Sequence, residues 1–288
     1  MKRCIRCNCL FSAATWTCPD CEYRPGLRSG ILSFAPELDL QDSDYDPSAY
    51  DVLARSEAGS FWFQNRNRLI SWAATKYFAN PKDILEIGCG TGYVLKALRE
   101  AFPAASLTAT DVHIRGLQFA ANRHSERLSL LQMDARAIPF RDTFDLVGCF
   151  DVLEHIDEDV AVLEEIRATL KPAGVLVLTV PQHMWLWSAA DEAARHKRRY
   201  DRPELLRKLS AAGLAPVFAS SFVSLLLPAM VAARRRSNSR YDLRREVDLP
   251  EIINRPFAAV TAIERLLIRA GISFPVGGSL LAVARRAG

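Results

Sequence analysis

One stretch of this chain narrows its folding options more than any other: Ile84-Leu85-Glu86-Ile87-Gly88-Cys89-Gly90-Thr91-Gly92. An apolar run of strand length enters a turn with glycine at every second position, and a helical pattern follows. Glycines lack Cβ atoms, so the backbone there can approach a bound molecule closely. Such a strand–turn–helix unit belongs to the ligand-binding edge of a parallel α/β sheet. The spacing is G-x-G-x-G, with Tyr93 where a dinucleotide loop needs its third glycine. The Gly-Lys pair of a P-loop is also absent. Glu86 at the strand end would repel a diphosphate. It suits a ligand with a positive amino group or a sulfonium.

Beyond Asn80-Pro81 short apolar runs alternate with helical patterns. Strands are predicted at 83–87, 106–111, 128–133, 144–150 and 174–180, with helices at 92–101, 114–122 and 157–170. This alternation implies an α/β domain built on a doubly wound, mostly parallel sheet with helices on both faces. Segments 215–223 and 279–285 read as two more strands, giving a seven-stranded sheet. Between them lies a helical insertion, 224–275, with a helical pattern from Pro256 to Ala270. Upstream, an acidic linker leads to a helix from Phe61 to Phe78, where Phe61, Asn65, Leu69 and Trp72 recur at helical spacing.

In this order the residues resemble class I, Rossmann-like S-adenosylmethionine (SAM)-dependent methyltransferases. The E-x-G-x-G-x-G loop is similar to that family's first motif. Asp111 ends the second strand, 19 residues after Gly92, and Met133-Asp134-Ala135 ends the third. Phe144 to Val147 begins the fourth strand. Asp151-Val152-Leu153-Glu154-His155 follows it and resembles the D-x-L-E-H signature of small-molecule members. Leu170-Lys171-Pro172-x-Gly174 before the fifth strand is similar as well. The resemblance implies SAM as cofactor. Its loop contacts would be Glu86, Gly88, Cys89, Gly90, Gly92 and Tyr93. Asp111 and Val112 would stand at the ribose, Asp134 and Ala135 at the adenine, and Phe150 and Asp151 after the fourth strand. In this class N-terminal helices cover the SAM site, which makes the Phe61–Phe78 helix a lid and directs Arg66 to the cofactor carboxylate. Trp62 shares its face with Arg66, four residues on.

Five of the seven cysteines lie in residues 1–28. Cys4-x-x-Cys7 and Cys18-x-x-Cys21 are two knuckles whose four thiolates suit tetrahedral Zn2+. The spacing resembles a zinc ribbon. All-thiolate ligation marks a closed, structural site, and a segment this small would draw much of its folding energy from the metal. Cys9 is a spare, able to replace Cys7. Cys89 and Cys149 sit at strand ends as packing residues. The chain thus divides into a zinc ribbon (1–28), a linker and lid helix (29–80) and a methyltransferase domain (81–288).

Methyl transfer to a hydroxyl needs a positioned base, and histidine is the natural one near neutral pH. His155 and His196 are the catalytic candidates. His196 opens an H-x-R-R-Y element, resembling one that faces the acceptor in related enzymes, so Arg198, Arg199 and Tyr200 are acceptor-binding candidates. Trp185 is a candidate pocket wall. From Arg195 to Arg245 thirteen Lys/Arg face three acids. The apolar run Phe222 to Ala233 beside Arg234-Arg235-Arg236 points to peripheral membrane contact through 222–245. The opening MKRC carries no secretory signal, so a cytoplasmic location is expected. The implied acceptor is a small molecule, lipid-like or a glycan intermediate, methylated at oxygen. The alternative is an rRNA base methyltransferase that docks on RNA through its ribbon. Net charge of only +4 gives a nucleic-acid partner little support.

Overall fold

The computed structural model describes residues 1–41, 48–124, 127–236 and 242–287. In chain order its strands are β1 (Lys2–Arg3), β2 (Leu10–Phe11), β3 (Gly26–Arg28), β4 (Ile31–Ser33), β5 (Asp83–Ile87), β6 (Ser106–Asp111), β7 (Leu128–Gln132), β8 (Phe144–Phe150), β9 (Leu170–Pro181), β10 (Leu214–Phe222) and β11 (Ser279–Arg286). Its helices are α1 (Pro36–Gln41), α2 (Ser48–Ser56), α3 (Phe61–Tyr77), α4 (Tyr93–Ala101), α5 (Ile114–Arg123), α6 (Asp159–Thr169), α7 (Ala189–Ala193), α8 (Arg202–Ala211), α9 (Leu227–Arg236), α10 (Leu243–Val247) and α11 (Glu251–Arg269).

β1 and β2 pair as a small hairpin, and the other nine strands form one sheet in the order β3-β4-β7-β6-β5-β8-β9-β11-β10. Only β3 and β11 run against their neighbours. Of the five parallel strands at the centre, β5, β8 and most of β9 are buried on both faces, which is why they read as apolar runs. One face packs under α6 and α8 through Val162, Ile166, Leu205 and Leu209. The other packs under α3, α4, α5 and α11 through Ile70, Leu95, Leu117 and Ile268. Each such fully buried aliphatic side chain contributes about 1.5–3 kcal/mol.

All seven expected strands are present, and two more extend the sheet. The hairpin β3–β4, which falls at the end of the ribbon and in the expected linker, adds to the edge of β7. An open edge strand needs partners for its backbone, and β4 supplies them. The Gln132 side chain fastens the junction: Ser33 Oγ donates to its Oε1 at 2.7 Å, and its Nε2 donates to the Ala35 carbonyl at 2.6 Å. The ribbon segment also rests on the domain. Trp16 packs edge-on against Phe34 and Phe140, with ring centroids 4.9 and 5.5 Å away. Arg3 pairs with Glu165 of α6.

The insertion is helical, as expected, but α11 begins one turn before Pro256. Its apolar run is split: Phe222, Val223 and Leu226 are buried, while Leu225 is 43% exposed. The side chains of Arg235, Arg236 and Arg245 and residues 237–241 lie outside the described residues. Glu264 of α11 locks the turn after β10, accepting from the backbone N–H groups of Val223, Ser224 and Leu225 at 2.6, 2.6 and 2.8 Å. Truncation would strand three backbone donors, that of Val223 buried. Glu264→Ala should therefore cost at least about 2 kcal/mol in denaturant unfolding. A change below about 0.5 kcal/mol, the range of ordinary surface substitutions, would show that water replaces the carboxylate.

Candidate functional site

The carboxyl ends of β5, β6, β7 and β8 open on one side of the sheet, where α/β folds bind ligands. A cleft of about 1090 Å3 lies there, walled by Gly88, Gly90, Asp111, Val112, Asp134, Ala135, Asp151 and His155. α2 and α10 close it with Tyr50, Leu53 and Leu243, residues that no sequence signal singles out.

The glycines of the loop have separate reasons to be glycine. Gly88, Gly90 and Gly92 all adopt positive φ, at 69°, 51° and 75°. A Cβ on Gly88 would lie 2.3 Å from Val152 Cγ2, and one on Gly92 would lie 3.0 Å from Ala120. A Cβ on Gly90 would meet nothing within 4 Å. Gly90 thus exposes bare backbone to the cleft. Its N–H donates to Asp111 Oδ2 at 2.8 Å, and the His113 N–H donates to Oδ1 at 2.9 Å. Burial pushes the Asp111 carboxyl up, and these N–H groups oppose the shift.

Glu86 is buried beneath the loop, and its Oε2 has no partner. Burial holds its carboxyl well above the usual range; Arg66 opposes that and Asp111 adds to it. A buried carboxylate oxygen without a partner is costly unless a cation or donor meets it. Arg66 reaches the same region from α3. It forms an ion pair with Asp151, and its guanidinium stacks over Trp62 at 4.7 Å. The rest of α3 is core rather than lid, with Leu69, Ile70, Ala73 and Ala74 buried. Cys89 and Phe150 are buried behind the loop. Tyr93 starts α4 and lines a different groove. Asp134 is held by Arg136 at 2.9 Å.

The two candidate bases meet: the His155 and His196 rings lie 4.8 Å apart, edge to face. His155 keeps an exposed face in the cleft. Crowding by the cleft walls, with His196 beside it, holds its imidazole below the ordinary value. His196 Nδ1 lies 2.9 Å from Asp191 Oδ1, while Nε2 points toward Glu154 Oε1 at 3.9 Å. Asp191 is fully buried and was not among the sequence candidates. Burial would raise its carboxyl, but hydrogen bonds from His196 and Arg199 outweigh that and hold it well below the usual carboxylate range. An ionised Asp191 fixes the proton on Nδ1 and leaves Nε2 as the acceptor. The sequence does carry one trace of it, because Ser188-Ala-Ala-Asp191 has capping-box spacing, and the Ser188 N–H donates to Asp191 at 2.8 Å.

The acceptor candidates after His196 do not converge on the cleft. The Arg199 guanidinium is buried, donating to Asp191 at 2.7 and 3.0 Å and to the Gln182 carbonyl at 3.2 Å. Tyr200 is buried and donates to Asp159 at 2.7 Å. Arg198 pairs with Asp159 and Asp157. Trp185 is 60% exposed and stacks on His183, away from the cleft. Polar residues in a short run alternate between facing in and facing out, and here the inward ones brace Asp191 and Asp159.

At the N-terminus the two knuckles are near copies. Asn8 N–H donates to the Cys4 carbonyl as Glu22 N–H does to that of Cys18, at 2.9 and 3.0 Å. Both Asn8 and Glu22 take positive φ, at 62° and 58°. Four sulfur atoms converge: Cys4 and Cys21 lie 3.6 Å apart, Cys7 and Cys18 3.5 Å. Thiolates around one Zn2+ at about 2.3 Å sit close to this spacing, so the cluster fits a tetrahedral ion. Cys9 stands outside it, closing its knuckle through its carbonyl to the Cys4 N–H at 2.9 Å.

Residues 85–178 match a family model described as a methyltransferase domain. That segment is thus a methyltransferase domain by its sequence, and the sheet around it has the fold of class I methyltransferases. Over 114 residues it is 31% identical to a malonyl-[acyl-carrier protein] O-methyltransferase of Priestia megaterium, covering 39% of this chain and 42% of that one. Over 106 residues it is 31% identical to a ubiquinone biosynthesis O-methyltransferase of Actinobacillus pleuropneumoniae, covering 33% and 44%. The chain thus spans less than half the length of these curated relatives. A Haemonchus contortus phosphoethanolamine N-methyltransferase 2, solved with SAM, shares the fold with a TM-score of 0.59 at 16% identity, over 91% of this chain and 62% of that one.

The cysteine geometry makes one measurement decisive. Cys18→Ser should lower zinc content measured by elemental analysis and speed amide exchange across residues 1–28. Ligand affinity in the distant cleft should stay largely intact. Unchanged zinc content would remove the metal from this centre.

Proposed function

We propose that this protein transfers a methyl group from SAM to the hydroxyl of a small, lipid-like or glycan acceptor, and that Zn2+ in the ribbon is structural. The observation that carries this reading is the bare Gly90 backbone beside Asp111 in the cleft, with Glu86 buried beneath the loop and its Oε2 without a partner. Asp111 accepts from ribose hydroxyls, Val112, Asp134 and Ala135 border the adenine, and Glu86 meets the positive amino end. Bound SAM supplies an electrophilic methyl with its own leaving group. What remains for the chain is to align the acceptor, exclude water and remove a proton.

His155, whose ring lines the cleft, takes that proton. His196, 4.8 Å away and held by Asp191, positions it. Arg66 keeps the cofactor side of the cleft closed through Asp151. The similarity to O-methyltransferases of acyl-carrier-bound and quinone substrates favours an oxygen acceptor. The RNA reading loses support from the ribbon itself, because Lys2 donates to the carbonyls of Ala13, Ala14 and Thr15 and Arg3 is tied to Glu165. Two of its cations are thus turned inward.

Asp111→Ala should weaken SAM binding by roughly ten- to a hundredfold in calorimetry, the loss of one to two charge-assisted hydrogen bonds. His155→Ala should leave that affinity alone and lower kcat by about 10²–10⁴. The reverse pattern would exchange the two roles. For the acceptor, label from methyl-labelled SAM in a host-cell extract should pass into the organic phase. Label in a nuclease-sensitive fraction would overturn the small-molecule reading.

A further inference from the structure

α11 is amphipathic in an unusual sense for a packed helix. Thr261, Glu264 and Ile268 are its buried face. On the opposite side Ile252, Pro256, Ala259, Ile263 and Leu266 recur every three or four residues and share one exposed stripe. Ile252, Ile263 and Leu266 are 83%, 54% and 61% exposed. Isolated exposed aliphatics are ordinary, but an aligned row on one helix is a docking feature.

Beside this stripe lies a groove of about 710 Å3 between α3, α4 and α11, where Arg68, Arg265 and Arg269 meet. Arg265 donates to the neutral Asn65 side chain at 2.6 Å. Burial lowers its guanidinium, and the charges of Arg68 and Arg269 lower it further. Among the described residues no carboxylate pairs with any of the three. Glu100, the single acid in the groove, faces Lys96 at 4.0 Å. Guanidiniums gathered without a counter-charge call for anions from outside.

We propose that the α11 stripe and its arginine groove seat the protein on an anionic phospholipid bilayer, the stripe entering the acyl boundary and the arginines meeting lipid phosphates. A helix of 19 residues lies in the interface plane along its length of roughly 28 Å. Among the described residues no helix is long and apolar enough to cross a membrane. A second copy of the chain fits this face worse, because a two-fold contact brings the same arginines together. The surface is also separate from the run after β10, of which Phe222, Val223 and Leu226 are buried. It gives a lipid-like acceptor a route to the protein, yet it stands on α11 and the groove beside it and is tested without methyl transfer.

The test is co-sedimentation of the full chain with vesicles of phosphatidylcholine alone or mixed with phosphatidylglycerol. Two exposed pairs are changed: Ile263→Ser with Leu266→Ser, and Arg68→Gln with Arg269→Gln. Thermal melts confirm that both variants fold. The native chain should bind the mixed vesicles and lose them as salt rises. The arginine pair should weaken binding by tenfold or more, at about fivefold per cation near the surface. The apolar pair should weaken it as well. Absence of binding at low salt, or equal binding by all three proteins, would overturn the proposal. A dimer in light scattering that the Ile263→Ser, Leu266→Ser pair dissolves would assign the face to a second copy instead.

Discussion

Parallel pairing of β5 with β6 is the constraint on which the rest depends. Ile87 lies opposite Thr110, so the next residues of each strand, Gly88 onward and Asp111, emerge side by side. The Gly90 N–H bond to Asp111 then ties the loop to the neighbouring strand. A change at either end moves both. The same parallel arrangement brings the ends of β7 and β8 to that edge, which is how Asp134, Asp151 and His155 come to share one cleft. Chemistry is assembled here by strand order, from residues scattered over most of the domain.

A second layer holds the first in place. Arg199, Asp191, Tyr200 and Asp159 are all buried or nearly so, and each has its charge or hydroxyl answered by another. Breaking one member of such a network leaves its partner buried and unpaired, which costs more than the bond itself. The segment after β9 is therefore a brace, and the histidines stand where it puts them.

Much of this was legible beforehand, for definite reasons. Central strands buried on both faces leave apolar runs that cannot be confused with surface segments, and the glycine loop and Asp111 are marked by spacing. β3 and β4 were not legible, because three-residue strands carry no periodicity of their own. The start of α11 was hidden by Pro256, which sits inside the helix and reads in a sequence as a boundary. The sequence names His196, Arg199 and Tyr200 as a polar run but does not say which way each points. Asp191 acquires its role only when the fold brings 188–199 against Glu154. The outward row on α11 likewise needed the packing of its other face to be known.

The docking of the N-terminal segment has a consequence for how the molecule is made. Arg3 waits for Glu165, 162 residues later, and Trp16 for Phe140. β4 cannot join the sheet until β7 exists. On a ribosome residues 1–30 emerge before these partners and find their seat among the last contacts to form. Two knuckles that close on themselves, each by bonds only four or five residues long, give that segment a shape to keep during the wait.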